Sequence, residues 1–192
     1  IEDATYVSFD LETTGFSVIH DGITEFGAVK IKNGEVIDRL QSFVNPGKKI
    51  GTRVSQLTNI TNEMVADAPT IKEFLPQILE FFGDAILVAH NAKFDIGFLN
   101  ESLKRLNQKP ITNPVIDSLA LARAIMKPMK SYRLGNVCRV YRVNYDDDVA
   151  HRADYDAEVL GAVFTTMLHS IMQSGNYNLL DLLIIWWYNN IA

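Results

Sequence analysis

The chain has 192 residues, a single cysteine and a formal net charge of −5, a length that suits one domain with a substantial core. Cys138 alone excludes an internal disulfide, which fits a reducing, cytoplasmic setting; with no signal-peptide pattern and no long apolar run, no membrane attachment is expected. The acidic balance argues against a nucleic-acid binder, which usually carries a basic surplus, unless the acids are gathered in one place and masked by metal.

Thr5 to Leu11 (TYVSFDL) is rich in β-branched and aromatic residues and reads as a central strand. Ile23 to Ile31 (ITEFGAVKI) is a second strand, and Asn33-Gly34 is a hairpin signal leading into a third, Glu35 to Val44. Thr61 to Ala66 reads as a short helix. Thr70 and Glu73 have capping-box spacing before an apolar run ending at Phe82, with Pro76 implying a kink or a late start. Ala85 to Ala89 is a short buried strand, followed by a helix over Phe94 to Asn107 with Phe94, Phe98, Leu99, Leu103 and Leu106 on one face. Val115-Ile116 is a further strand leading to a helix that ends near Met126. Ser131 is placed to cap a short helix reaching Tyr141, and Tyr145 to Asp148 is an acidic loop. Ala153 to Gln173 is a long amphipathic helix with Leu160, Val163, Phe164, Met167, Leu168 and Ile171 as its buried stripe. An antiparallel start followed by alternating helices and strands gives an α/β fold, a mixed sheet flanked by helices. The apolar end, NLLDLLIIWWYNNIA, is too short to span a bilayer; it either packs on this domain or docks on a neighbour.

FDLETTG carries the first chemical signal. Residues i and i+2 of a strand share a face, so Asp10 and Glu12 project side by side. At about 4 Å such charges repel by roughly 1 kcal/mol in water and roughly 4 at an effective dielectric near 20. Solvent, a proton, a basic group or a cation must offset that. Further acids fall at element ends: Asp95 in HNAKFD, after a strand and at a helix start, and Asp156 in HRADYDAE, at the start of the long helix. Singly, each reads as an acid that complements a helix dipole, and His151 as a solvated loop histidine. Together, three element ends each carrying an acid, with His151 upstream of the last, form a constellation suited to hard cations such as Mg²⁺. Four carboxylates suffice for two such ions.

FDLETTG, HNAKFD and His151-x4-Asp156 resemble the three motifs of the DEDDh (DnaQ-like) 3′→5′ exonucleases. EFGAVKIKNGEVIDR, LTNITNEMVADAP, ILVAHNAKFDIGFLN and NPVIDSLALAR extend the likeness to the proofreading domain of PolC-type bacterial DNA polymerase III, from about Glu2 to Ser170. The likeness departs from that pattern at Lys93, at GITEFG, and in the tail from Tyr177.

The resemblance implies an RNase H-like exonuclease fold with a five-stranded sheet, an exonuclease domain over 1–175 and an apolar tail over 176–192 of open role. It implies two divalent cations, Mg²⁺ or Mn²⁺, held by Asp10, Glu12, Asp95 and Asp156, with His151 as general base. A histidine's ordinary pKa near 6.5 leaves it neutral above pH 7. The implied substrate is the 3′ end of single-stranded or frayed DNA, and the implied partners are polymerase domains of the same or an associated chain. A start at Ile1 rather than Met suits a domain cut from a longer chain. Thr13, Thr14, Gly15, Phe16, Asn91 and Phe98 are candidates for substrate contact, and Arg123, Lys127, Lys130, Arg133, Arg139 and Arg142 for a basic wall along the strand. Two rival readings are an RNA-trimming exoribonuclease with the same apparatus and a non-catalytic nucleic-acid-binding module; the latter should have lost an acid or the histidine, and this chain keeps the full set.

Overall fold

A computed structural model describes residues 3–175 and residue 178. Five strands form one mixed sheet in the order β3-β2-β1-β4-β5: β1 (Thr5–Thr13), β2 (Ile23–Lys32), β3 (Glu35–Phe43), β4 (Ile86–Ala89) and β5 (Val115–Asp117). β1 pairs antiparallel with β2 and parallel with β4. The β2–β3 turn falls on Asn33 and Gly34, both with positive φ, as a tight hairpin needs.

Alternation along β1 sends its side chains to two cores. Val7, Phe9 and Leu11 face α3 (Ile71–Phe82) and α4 (Ala92–Arg105), where Phe74, Ile78, Phe82 and Leu99 meet them. Tyr6 packs on the other face with α5 (Ser118–Ile125), α6 (Leu134–Tyr141) and α7 (Ala153–Ser174). The long helix lies close to that face, where the Ser8 hydroxyl donates to the Ala157 carbonyl at 2.8 Å. On β2, a Cβ at Gly27 would sit 2.2 Å from the Ala153 carbonyl carbon, so only glycine admits the start of α7 there.

The five-stranded sheet and its flanking helices are as expected; several boundaries differ. α3 starts at once after Thr70, whose backbone N–H and hydroxyl both bond to Glu73, and it runs through Pro76. Lys72, whose carbonyl loses its partner to Pro76, and Pro76 itself are both exposed, so this turn faces solvent. α4 begins at Ala92, two residues before the expected Phe94. α6 begins at Leu134 behind Arg133, not directly behind Ser131. The sequence reading missed α1 (Thr52–Thr58); its Val54 packs on a small cluster of Ile50, Ile60 and Val65, the last from α2 (Asn62–Ala66). The 176–192 tail, Asn178 apart, lies outside the described residues. Among those described, no helix is long and apolar enough to cross a membrane.

Candidate active site

The site forms where β1 outruns β4. β4 pairs only with Tyr6 to Ser8, so the following stretch of β1 has an open edge on that side. The Asp95 carboxylate fills it: Oδ1 accepts from the Leu11 N–H at 3.2 Å. Asp95 reaches this point because Asn91, in the left-handed region at φ 73°, turns the chain sharply from β4 into α4. Asp10 and Glu12 extend the face of β1 that carries Tyr6 and Ser8, while Phe9 and Leu11 hold the strand from the opposite core.

Asp156 sits in the first turn of α7 and is 7% exposed. Its Oδ2 accepts from the His151 N–H at 3.0 Å, and its Oδ1 is buried without a hydrogen-bond partner among the described residues. His151 has a φ of 64° and is exposed. Ligand atoms of Glu12, His151 and Asp156 lie within 4.8 Å of one another. All four acids and His151 line one open cleft of about 690 Å³. The structure thus brings together every residue proposed for the chemistry.

In the metal-free protein these carboxyls hold protons tightly. Burial pushes Asp10 well above the usual carboxylate range, and Asp95, Glu12, Asp156 and Glu25 push further. Burial, then Asp156 and Glu25, raise Glu12 to about 9, while Arg152 pulls it down. Asp95 rises to about 8 through burial, against the lowering effect of its backbone hydrogen bonds. Asp156 is raised by burial, partly offset by the His151 N–H. A buried carboxylate oxygen of Asp156 without a hydrogen-bond partner among the described residues and three further acids beside it are hard-ligand chemistry that fits divalent metal.

The candidate substrate contacts divide. Thr13, Gly15, Phe16 and Asn91 line the cleft. Phe16 is 91% exposed, with its ring edge to Phe94. Thr14 does not reach it; its hydroxyl donates to Asp21 at 3.0 Å and accepts from the Gly22 N–H. Phe98 is also withdrawn. It is 2% exposed in the core, tilted against Phe94, and Phe94 takes the cleft position instead. Gly15 serves its own loop, since a Cβ there would meet the Asp21 carboxylate at 2.4 Å. Of the six basic residues, Arg133 and Arg139 line the cleft, and Arg139 is paired with Asp147 at 2.6 Å. Lys93 is exposed and is not among the residues lining the cleft.

Sequence reasoning missed Val54 and Leu57 of α1, which form an apolar side of the cleft. It also missed the role of Glu25, a fully buried acid bonded by Arg152 through two nitrogens at 2.8 and 3.0 Å. A lone acid inside the apolar run ITEFGAV was the available signal. His90 is a further omission: its ring nitrogens meet the Ser118 hydroxyl and the Tyr132 carbonyl, both at 2.8 Å, which pins the wall of the cleft.

A family model described as Exonuclease matches residues 7–164. The chain is 42% identical over 175 residues to a PolC-type DNA polymerase III of Bacillus cereus and 48% identical over 173 residues to that of Ureaplasma parvum serovar 3. These alignments cover 91% and 89% of this chain but 12% of each relative, so the chain spans about one-eighth of the curated relatives' length. Among solved structures it is similar to Exonuclease X in complex with 5′ overhanging duplex DNA (TM-score 0.71, 24% identity, 95% of this chain and 98% of that one). It is also similar to E. coli Exonuclease I in complex with a dT13 oligonucleotide (TM-score 0.79, 19% identity, 91% and 43%). With its acids and histidine gathered at the end of β1, the chain belongs to the exonuclease family.

Proposed function

We propose that the chain is the 3′→5′ proofreading exonuclease of a replicative DNA polymerase III, acting on single-stranded or frayed DNA 3′ ends. The observation that carries this reading is the convergence of Asp10, Glu12, Asp95, Asp156 and His151 on one cleft, in a chain 40–48% identical to stretches of PolC-type polymerases. Its partners would then be polymerase domains, and its setting the cytoplasm.

The four acids would hold two divalent cations, Mg²⁺ or Mn²⁺. Such ions, when bound, neutralise the carboxylates, lower the pKa of water and stabilise charge on the attacking and leaving oxygens. The His151 imidazole takes the proton of the attacking water; its exposed side chain lines the cleft while its backbone N–H is tied to Asp156. The water oxygen bonds to phosphorus, the bond to the 3′ oxygen of the shortened strand breaks, that oxygen takes up a proton from solvent to become the new 3′ hydroxyl, and a nucleoside 5′-monophosphate leaves. Asp156 orients the base through its bond to the His151 N–H and would also be a ligand. Phe16, Phe94 and Leu57 offer apolar surface for the terminal bases, with Arg133 and Arg139 beside the backbone. Two divalent cations against four carboxylates also resolve the repulsion between Asp10 and Glu12.

The test uses single strands of one sequence, as DNA and as RNA, labelled at either end. The reading predicts metal-dependent release of the 3′ label from DNA as a mononucleotide. Faster shortening of the RNA would favour the exoribonuclease alternative, and no shortening of either would favour a binding module.

A further inference from the structure

We propose that Glu25 and Arg152 act as a positioning pair that fixes the backbone of residues 151–153 and so sets the His151 imidazole against Glu12 and Asp156. The proposal rests on the reading of His151 as the base. Glu25 stands opposite Glu12 in the β1–β2 ladder, beside the point where the register slips between Glu12 and Thr13. It is wholly buried, which is unfavourable for a carboxylate unless it is paired and hydrogen-bonded.

Four bonds converge on it. Arg152 Nε donates to Oε2 at 3.0 Å and Nη2 to Oε1 at 2.8 Å. The Ala153 N–H donates to Oε2 at 3.0 Å, and Gln41 Nε2 to Oε1 at 2.8 Å. Three of the four come from the two residues that directly follow His151. The guanidinium also lies 5.1 Å from the centre of the Phe43 ring.

His151 is thereby bracketed. Its own N–H is held by Asp156 on one side, and the Arg152 guanidinium and Ala153 N–H that follow it are held by Glu25 on the other. Its φ of 64° lies in the left-handed region, which costs a non-glycine residue energy that surrounding contacts must offset. The bare backbone of Gly27 lets Ala153 settle on β2, completing the seat. The pair also places a fifth acid beside the four in the cleft without adding net charge, since Arg152 cancels it.

A carboxylate is required because every partner is a donor. A Gln at 25 would turn its amide nitrogen toward two of them, whichever way it flipped.

The experiment is a double-mutant cycle on this chain, following Mn²⁺-supported hydrolysis of a single-stranded DNA oligonucleotide. Glu25→Gln should lower kcat about 10- to 100-fold, as misplacement of a reacting group does, with KM held within about threefold. In the His151→Ala background the same substitution should change kcat by less than about twofold. An equal loss in both backgrounds would mean that Glu25 serves the fold alone and would overturn the proposal. A His151→Ala variant as fast as wild type would overturn instead the reading of the base. Should Glu25→Gln lack the circular dichroism of the native chain, Arg152→Lys carries the same cycle under the same criteria; it keeps the charge and loses the two-pronged contact.

Discussion

Replacing Asp10 by Asn should stabilise the metal-free protein at alkaline pH. Asp10 sits among Asp95, Glu12, Asp156 and Glu25, all raising its pKa along with burial, and Glu12 and Asp95 themselves rise to about 9 and about 8. An acid whose folded pKa is raised retains a proton that the unfolded chain releases above about pH 4–5. The stability of the metal-free protein is therefore greatest below that range and falls as pH climbs toward the folded values. Each retained proton contributes a slope of about 1.4 kcal/mol per pH unit, so one proton held from pH 6 to 8 lowers stability by about 3 kcal/mol. For a domain of this size that is a drop in Tm of roughly 5–10 °C, toward the lower end because the cleft admits solvent. Asn at position 10 removes one such retained proton from the cluster and should take away about that share of the drop. Saturating Mg²⁺ or Mn²⁺ should reverse the ranking, since binding to the folded state alone raises its stability and the variant has lost a ligand. Thermal unfolding in EDTA at pH 6, 7 and 8, repeated with each cation, reads this directly. A metal-free Tm that is flat or rising over that range, or an Asn variant that melts below wild type in EDTA at pH 8, would refute the reasoning.

His151→Ala should lower kcat by about 10²- to 10⁴-fold, the usual worth of a positioned base, yet leave Mn²⁺ affinity by calorimetry within about tenfold, because the four carboxylates stay in place. Phe16→Ala should weaken binding of a single-stranded oligonucleotide in Ca²⁺ by roughly 1–3 kcal/mol, the usual loss of one base stack, without lowering Tm, since the ring is 91% exposed; unchanged affinity by fluorescence anisotropy would remove Phe16 from the substrate path. Gly27→Ala should destabilise by about 1–3 kcal/mol through the contact with the Ala153 backbone and also slow hydrolysis, because the displaced segment carries His151; a full kcat with a lowered Tm would separate the seat of α7 from the chemistry.

The sheet and the acid constellation were legible for one reason: each is a local rule or a local violation of one. Strand alternation and the Asn33-Gly34 turn follow short-range rules, and Asp10 and Glu12 break an otherwise buried run. What the sequence could not supply was partnership. Glu25 was visible as an acid among apolar residues, but its match to Arg152 spans 127 positions. Phe94 and Phe98 share a helix face, and only the packing of α4 decides that Phe98 enters the core while Phe94 borders the cleft. α1 escaped notice because it carries no side-chain cap and buries only Thr58, leaving neither a start signal nor an apolar stripe to read. The late start that Pro76 allowed for does not occur, because the Thr70–Glu73 capping box already fixes the first turn at Ile71.

The account turns on the four carboxylates forming one divalent-cation site beside His151. Counting bound Mn²⁺ by electron paramagnetic resonance, in the presence of a nucleoside 5′-monophosphate, tests that most directly. The account predicts two ions per chain in the wild type and one or none in Asp10→Ala. Equal occupancy in the two proteins, or none in the wild type, would contradict it.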